Sequence, residues 1–463
     1  LSLRHALGTA LLLLPLPALA APGGAPAGQP VRTTLRYDED WSANAGRDGI
    51  AGWKYLELPG SNDVHATFGL ELRARYEGFE NTDWGSKPDD GYLWLRAMPS
   101  VDLGAGPVRA FVQTIAGYAR GVNGGNGPAD QTGHDLLQAF ADVRLALPGR
   151  GTITLRGGRE LIGLGSERLV GLRYGPNIPQ AFDGFRAIAE TGPLRLDVFR
   201  LRPVQVGQRD FDDATSHTRL LSGVYATARL GGGGKRGVSS ADIYWLGYRN
   251  SAARFGGIAG EERRDTYGLR LFGRRGRIAW NWEGMLQRGR FAGQRIRAWS
   301  IATETAVAFP DVPLQPRLRV RANIASGDRS IHDGTLGTFN AMFPKGRYFG
   351  ELSPIGPRNI VHLNPSVDIR IAPKVTLDLS ASAFWRQTIG DGIYDVPGQL
   401  LRAPGSSKAR TIGQQAEVAV SWQPSPTLSF LASASVFTPG AFLRETGPAH
   451  RIGMAALEAL FKF

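Results

Sequence analysis

Thr67-Phe68-Gly69-Leu70-Glu71-Leu72-Arg73-Ala74-Arg75-Tyr76 alternates with a period of two. Phe68, Leu70, Leu72, Ala74 and Tyr76 share one face, while Thr67, Gly69, Glu71, Arg73 and Arg75 share the other. Successive side chains of a β-strand point to opposite sides, so this strand is apolar on one face and charged on the other. The pattern returns in residues 375–386, where Val375, Leu377, Leu379, Ala381, Ala383 and Trp385 alternate with Thr376, Asp378, Ser380, Ser382 and Arg386. In residues 316–324, Leu318, Val320, Ala322 and Ile324 alternate with Arg317, Arg319, Arg321 and Asn323.

Eighteen such segments can be counted, centred on Leu72, Ala97, Val112, Ala141, Leu155, Ala187, Leu196, Val224, Ile243, Leu269, Trp282, Ala302, Val320, Val367, Leu379, Val418, Ala432 and Leu457. Their connectors alternate in length. Tight ones, such as Gly104-Ala105-Gly106-Pro107, Thr191-Gly192-Pro193 and Ala372-Pro373, take turns with long ones, such as residues 120–133, 162–181, 326–359 and 387–409. Outer-membrane barrels combine an even strand number with short periplasmic turns and long extracellular loops, and about 16–18 strands leave a water-filled lumen. The rhythm predicts an all-β fold: a transmembrane antiparallel β-barrel of about 18 strands. The last segment, 451–463, ends on Phe463 and resembles the terminal strand that barrel-assembly machinery reads. Trp94, Trp385 and Trp422 fall near strand ends, where interfacial girdles are expected.

Gly supplies 61 of the 463 residues, and Cys is absent, so disulfides and thiolate metal sites are unavailable. Lys and Arg number 54 against 41 Asp and Glu, a net +13 that points to an anionic partner. Arg4 and His5, an apolar stretch over 6–14, Pro15, Pro17 and Ala18-Leu19-Ala20 follow the order of a secretory signal cut after Ala20. No later stretch approaches the ~20 consecutive apolar residues of a transmembrane helix. The expected organisation is a signal peptide (1–20), an N-terminal lead-in without clear period (21–64) and a barrel (65–463) in the cell outer membrane. Nucleic acid is not an expected partner there.

No catalytic constellation stands out. The seven His residues include no His-x-x-x-His pair, and Gly231-Gly232-Gly233-Gly234-Lys235-Arg236 lacks the Ser or Thr that a phosphate loop needs after its Lys. The expectation is a non-enzyme without a cofactor or metal; a barrel lipase or deacylase is the remote alternative.

What recurs is Arg on the polar faces. By parity Arg73, Arg75, Arg96, Arg144, Arg156, Arg186, Arg270, Arg317, Arg319, Arg321 and Arg370 point into the lumen, together with Glu71, Glu77, Asp102, Asp142, Glu160, Asp368 and Asp378. Many of these can pair across strands and hold the barrel open. Their basic excess predicts anion selection, since a guanidinium replaces part of the hydration a carboxylate loses at a constriction. Two long connectors carry their own aromatics and charges, as ordered functional loops do. One holds Leu169-Val170-Gly171-Leu172-Arg173-Tyr174-Gly175-Pro176-Asn177; it is long enough to fold into the lumen. The other holds Ser326-Gly327-Asp328-Arg329, Phe343-Pro344-Lys345-Gly346-Arg347-Tyr348 and Gly356-Pro357-Arg358-Asn359.

These loops, with Leu35-Arg36-Tyr37-Asp38-Glu39-Asp40-Trp41 and Gly69 to Glu77, resemble the alginate export family of outer-membrane barrels over nearly the whole mature chain. The resemblance implies an eighteen-stranded barrel with an Arg-lined pore that conducts an anionic polyuronate outward. It also implies that Arg159, Arg173, Asp183 and Arg186 match the family's charged motif around the constriction. These four are expected to form the narrowest ring, with Arg73, Arg75, Arg321, Asp328 and Arg358 as further pore-lining or substrate-binding residues. The expected function is passive transport of anionic solutes, first of all export of an anionic polysaccharide such as alginate; the alternative is a general or small-anion uptake porin. Expected partners are that polysaccharide or small anions, outer-membrane lipid and lipopolysaccharide, the barrel-assembly machinery and a periplasmic export scaffold.

Overall fold

The computed structural model describes residues 32–58, 64–149, 151–231, 237–330 and 332–463. The expected signal peptide, the first part of the lead-in and the Gly-rich turn at 232–236 lie outside the described residues. Every alternating segment forms a strand. The first nine are β1 Val64–Glu80, β2 Asp90–Ala105, β3 Val108–Arg120, β4 Gly133–Leu147, β5 Gly151–Leu161, β6 Ala181–Thr191, β7 Leu194–Gln205, β8 Arg219–Gly231 and β9 Val238–Phe255. The others are β10 Ile258–Arg275, β11 Ile278–Phe291, β12 Gln294–Ala308, β13 Arg317–Ala325, β14 Ile360–Ala372, β15 Val375–Arg386, β16 Thr411–Ser425, β17 Leu428–Pro439 and β18 Ile452–Lys462.

Each strand pairs antiparallel with the next, and β18 returns to β1, from Glu71↔Lys462 to Glu80↔Gly453. The sheet is thus a closed barrel of 18 strands with no unpaired edge. The alternation decides which face meets what. Outward positions carry large exposed apolar side chains, among them Ile243 (65% exposed) and Leu457 (60%), a surface that suits lipid and not water. Trp385 and Trp422 stand among these outward residues. Trp94 does not, contrary to expectation: it is opposite Arg75, faces the lumen, and donates its indole N–H to Asp130 at 3.2 Å.

At least five segments enter the lumen, two of them through Ile393 and Val396 and through Phe442 and Leu443, which join its apolar core. The lead-in, whose described residues form short 3-10 turns and a two-residue strand, Leu56–Glu57, paired with β1, enters at the end where β1 begins. Tyr37 wedges between Phe111 and Phe140 of β3 and β4 and donates to the Leu161 carbonyl at 2.7 Å. Lys54 donates to the Phe68 carbonyl at 2.8 Å and lies over the ring of the terminal Phe463. The other two segments are the long connectors 162–180 and 326–359. By contrast, β9–β10 and β11–β12 are joined on the loop side by only Gly256-Gly257 and Ala292-Gly293.

Candidate functional site

The constriction is built where the two long connectors meet. Phe343 donates its amide to the Leu169 carbonyl at 2.9 Å and accepts from Gly171 at 2.8 Å, and Lys345 donates to the Glu167 carbonyl at 3.0 Å. Val170 and Phe343 thereby form a parallel bridge, with both side chains in the apolar core of the lumen. Gly346 is required at this crossing: a Cβ there would lie 2.2 Å from Cδ of Pro176.

Arginines of the wall hold this frame. Arg73 donates to the carbonyls of Tyr174 (3.3 Å), Gly175 (2.8 Å) and Pro176 (3.0 Å), and to Glu458 at 2.9 Å. Arg96 reaches the Asn177 carbonyl at 3.0 Å and Glu71 at 2.8 Å. Arg75, fully buried, is surrounded by three carboxylates: Glu77 at 2.5 Å, Glu351 at 2.6 Å and Glu458 at 3.1 Å. Arg347 of the second connector joins the same group through Glu77 and Glu351. A carbonyl-rich turn buried in a barrel needs donors, and planar guanidinium groups supply several each. Arg186 is engaged in the same way by Asp197 at 2.6 Å and Glu160 at 3.1 Å.

The expected ring of Arg159, Arg173, Arg186 and Asp183 is not assembled. Arg159 and Asp183 stand directly opposite each other on β5 and β6 and pair at 2.8 Å, but they share the outward face with Phe185. Glu160 and Arg186, of the opposite parity, point inward. Arg159 and Asp183 therefore fasten the outer rim, where Asp183 also accepts from Thr215 and Arg159 donates to the Leu136 carbonyl. Asp328 is likewise a loop-holding residue: its carboxylate accepts the Gly337 amide at 3.2 Å.

Arg173 and Arg358 do lie inside, and in a different electrostatic state from the wall arginines. Arg173, half-buried and at φ 51°, has its pKa lowered by burial and by neighbouring Arg219, while Asp395 opposes the shift. Arg358 is also lowered by burial; it donates to Asn340 at 2.8 Å and to the Gly398 carbonyl at 3.2 Å. Its guanidinium lies so close to Gly398 (φ 102°) that a Cβ there would fall 2.0 Å from a guanidinium nitrogen. Arg173 and Arg358 both act on Asp395, whose carboxylate oxygen is already taken by the amides of Gly398 and Gln399. Arg219, at the start of β8, lies over the Phe343 ring. Among the described residues Arg173, Arg219 and Arg358 form no ion pair, whereas Arg75, Arg96, Arg156, Arg186, Arg264 and Arg270 all do.

A second basic group lies at the other side of the crossing. Lys345 sits beside Arg321 and Arg168, with Glu167 and Glu304 nearby; burial first and then the two guanidinium groups lower its pKa to about 8. Arg321 itself pairs with Glu304 at 2.9 Å, and Arg168 with Glu283 at 2.9 Å. Arg219 escaped sequence reasoning because it stands at the very start of β8, although its parity with Tyr225 against the outward Val224 places it inward. Its role depends on where the Phe343 loop folds.

A sequence profile described as alginate export matches residues 64–454. No functionally curated protein matches significantly. Among solved structures the chain resembles OccK2 (OpdF) of Pseudomonas aeruginosa in complex with glucuronate, with TM-score 0.58 and 12% identity over 86% of this chain and 98% of that one. It also resembles OpdK of the same organism with vanillate (TM-score 0.56, 13% identity, 86% and 98% covered) and OccAB1 of Acinetobacter baumannii (0.58, 12%, 86% and 96%). At these identities the likeness establishes a shared barrel fold.

Proposed function

The chain belongs to the alginate export family and forms an outer-membrane channel, and we propose that it passes anionic solutes passively, with a polyuronate such as alginate as the leading cargo. The observation that carries this reading is the set Arg173, Arg219 and Arg358, the lumen arginines left without a carboxylate partner where the two connectors cross. Cations held only at longer range by Asp395 and Glu262 are costly to bury, and a carboxylate in transit relieves that cost. Two charges ~5 Å apart at an effective dielectric of ~20 interact by about 3 kcal/mol before desolvation, enough for a transient site and too little for a trap. Lys345 on the far side of the crossing offers the next step, so successive carboxylates of a polymer, or a small acid, can pass between shallow sites. No hydrolytic chemistry enters this reading.

A second reading, a small-anion uptake porin, is favoured by the narrowing of the lumen by two interlocked connectors. The glucuronate and vanillate of the similar structures are small acids of that kind. Single-channel blockade separates the two: oligouronates should occlude a polymer exporter for longer than monomeric uronate or aromatic acids do. Block by short acids alone favours the uptake reading.

A further inference from the structure

On the outward face of β9 to β12, residues in direct register form rows that run across the strands. Trp245, Tyr267, Leu286 and Trp299 make one row. The next row toward the loops is Gly247, Asp265, Arg288 and Arg297, and the one beyond it is Arg249, Arg263, Arg290 and Arg295. All six arginines are exposed. Same-face neighbours are ~6.8 Å apart along a strand, so on each strand a tilt of ~40° places the two basic positions about 5 and 10 Å beyond the aromatic or apolar one. Trp and Tyr mark the headgroup level of a membrane. The belt therefore stands at the depth of the lipid headgroups of the extracellular leaflet, on the side of the barrel away from the pore.

Four pairs in this belt, Arg249↔Arg263, Arg263↔Arg290, Arg290↔Arg295 and Arg288↔Arg297, are directly opposite like charges, an arrangement that destabilises a sheet. The two acids nearby offset it only at Arg263 and, by register, at Arg288. Glu261 pairs with Arg263 at 2.7 Å, and Asp265 accepts the Trp245 indole at 3.0 Å. Arg288, Arg290, Arg295 and Arg297 form no side-chain ion pair among the described residues. The two-residue connectors of these hairpins leave the belt uncovered.

We propose that this belt binds the phosphate groups of lipopolysaccharide in the surrounding leaflet, with guanidinium forks on the phosphates and the Trp245–Trp299 row against the first acyl carbons. Charge complementarity and depth select this occupant: a phosphorylated lipid presents anions at that level, and bridging anions turn each Arg–Arg repulsion into shared attraction. The inference rests on the outer-membrane location and is independent of the cargo.

The test uses the purified full-length barrel in detergent, titrated with diphosphoryl lipid A and read by native mass spectrometry. The folded barrel should retain lipid A. The doubles Arg288→Gln with Arg297→Gln and Arg290→Gln with Arg295→Gln should each weaken binding, and all four together by about tenfold or more, as expected for lost charge-assisted contacts. Monophosphoryl lipid A should bind less well than the diphosphoryl form, and Arg275→Gln, at the opposite end of β10, should bind like the parent. Heat-modifiable gel mobility confirms that each variant is folded, and the separate doubles keep the test valid if the quadruple variant does not assemble. Undiminished binding by the folded doubles overturns the proposal. So does displacement of the lipid by an oligouronate, which would make the belt a cargo surface.

Discussion

Gly171 donates its backbone amide to the carbonyl of Phe343 at 2.8 Å, and this bond joins the two long connectors inside the barrel. The lumen is thus framed by chain that belongs to neither the wall nor the rim. The wall arginines serve the frame, and the arginines left over are available to an anion.

If that frame is static, fixing it should not stop conduction. Val170 and Phe343 face each other in a parallel bridge, a separation that a disulfide can span. In this Cys-free chain, Val170→Cys with Phe343→Cys should crosslink on oxidation, and single-channel conductance should be the same before and after. Conductance that vanishes on oxidation and returns on reduction would show that the connectors part during transport.

Arg73 holds three consecutive carbonyls of the first connector and the Glu458 carboxylate. Arg73→Ala leaves the part-buried carbonyls of Tyr174 and Gly175 without this donor, while Glu458 keeps Arg75 and Pro176 keeps Arg96, a loss on the order of 1–3 kcal/mol for acceptors left unsatisfied. The expected outcome is a lower denaturation midpoint together with larger, noisier conductance as residues 174–176 detach. Arg73→Lys should recover only part of both, because an ammonium cannot fork across three carbonyls. Unchanged conductance in Arg73→Ala would mean the connector is held from elsewhere.

The barrel was legible in the sequence because strand parity is a local property: all the alternating segments, from Leu72 to Leu457, became strands. The inward path of residues 162–180 could be anticipated from its length. Its contacts could not, since they depend on Phe343, far along the chain. Arg159 and Asp183 show the limit. Their charges fit a pore motif, but β5 runs regularly from Arg156 to Glu160, so parity sends Arg159 outward with Leu155. Extending the same alternation one strand further would have separated Asp183 from Arg186.

The lowered pKa of Lys345, about 8, gives a pH signature. Below that value the ammonium adds positive charge beside Arg321 and Arg168; above it the charge is lost. Anion preference should therefore fall as pH rises from 7 to 9 by an amount that Lys345→Arg abolishes. A pH dependence that persists unchanged in Lys345→Arg would assign it to another group.

The reversal potential of single channels under a salt gradient in a planar bilayer bears most directly on the central claim. The account predicts an anion-selective sign for the parent barrel. It further predicts a shift toward cations on Arg173→Glu with Arg219→Glu, and none on Arg275→Gln outside the lumen. A cation-selective parent, or a double variant with the parent's reversal potential, would contradict the assignment of Arg173, Arg219 and Arg358 as the anion site.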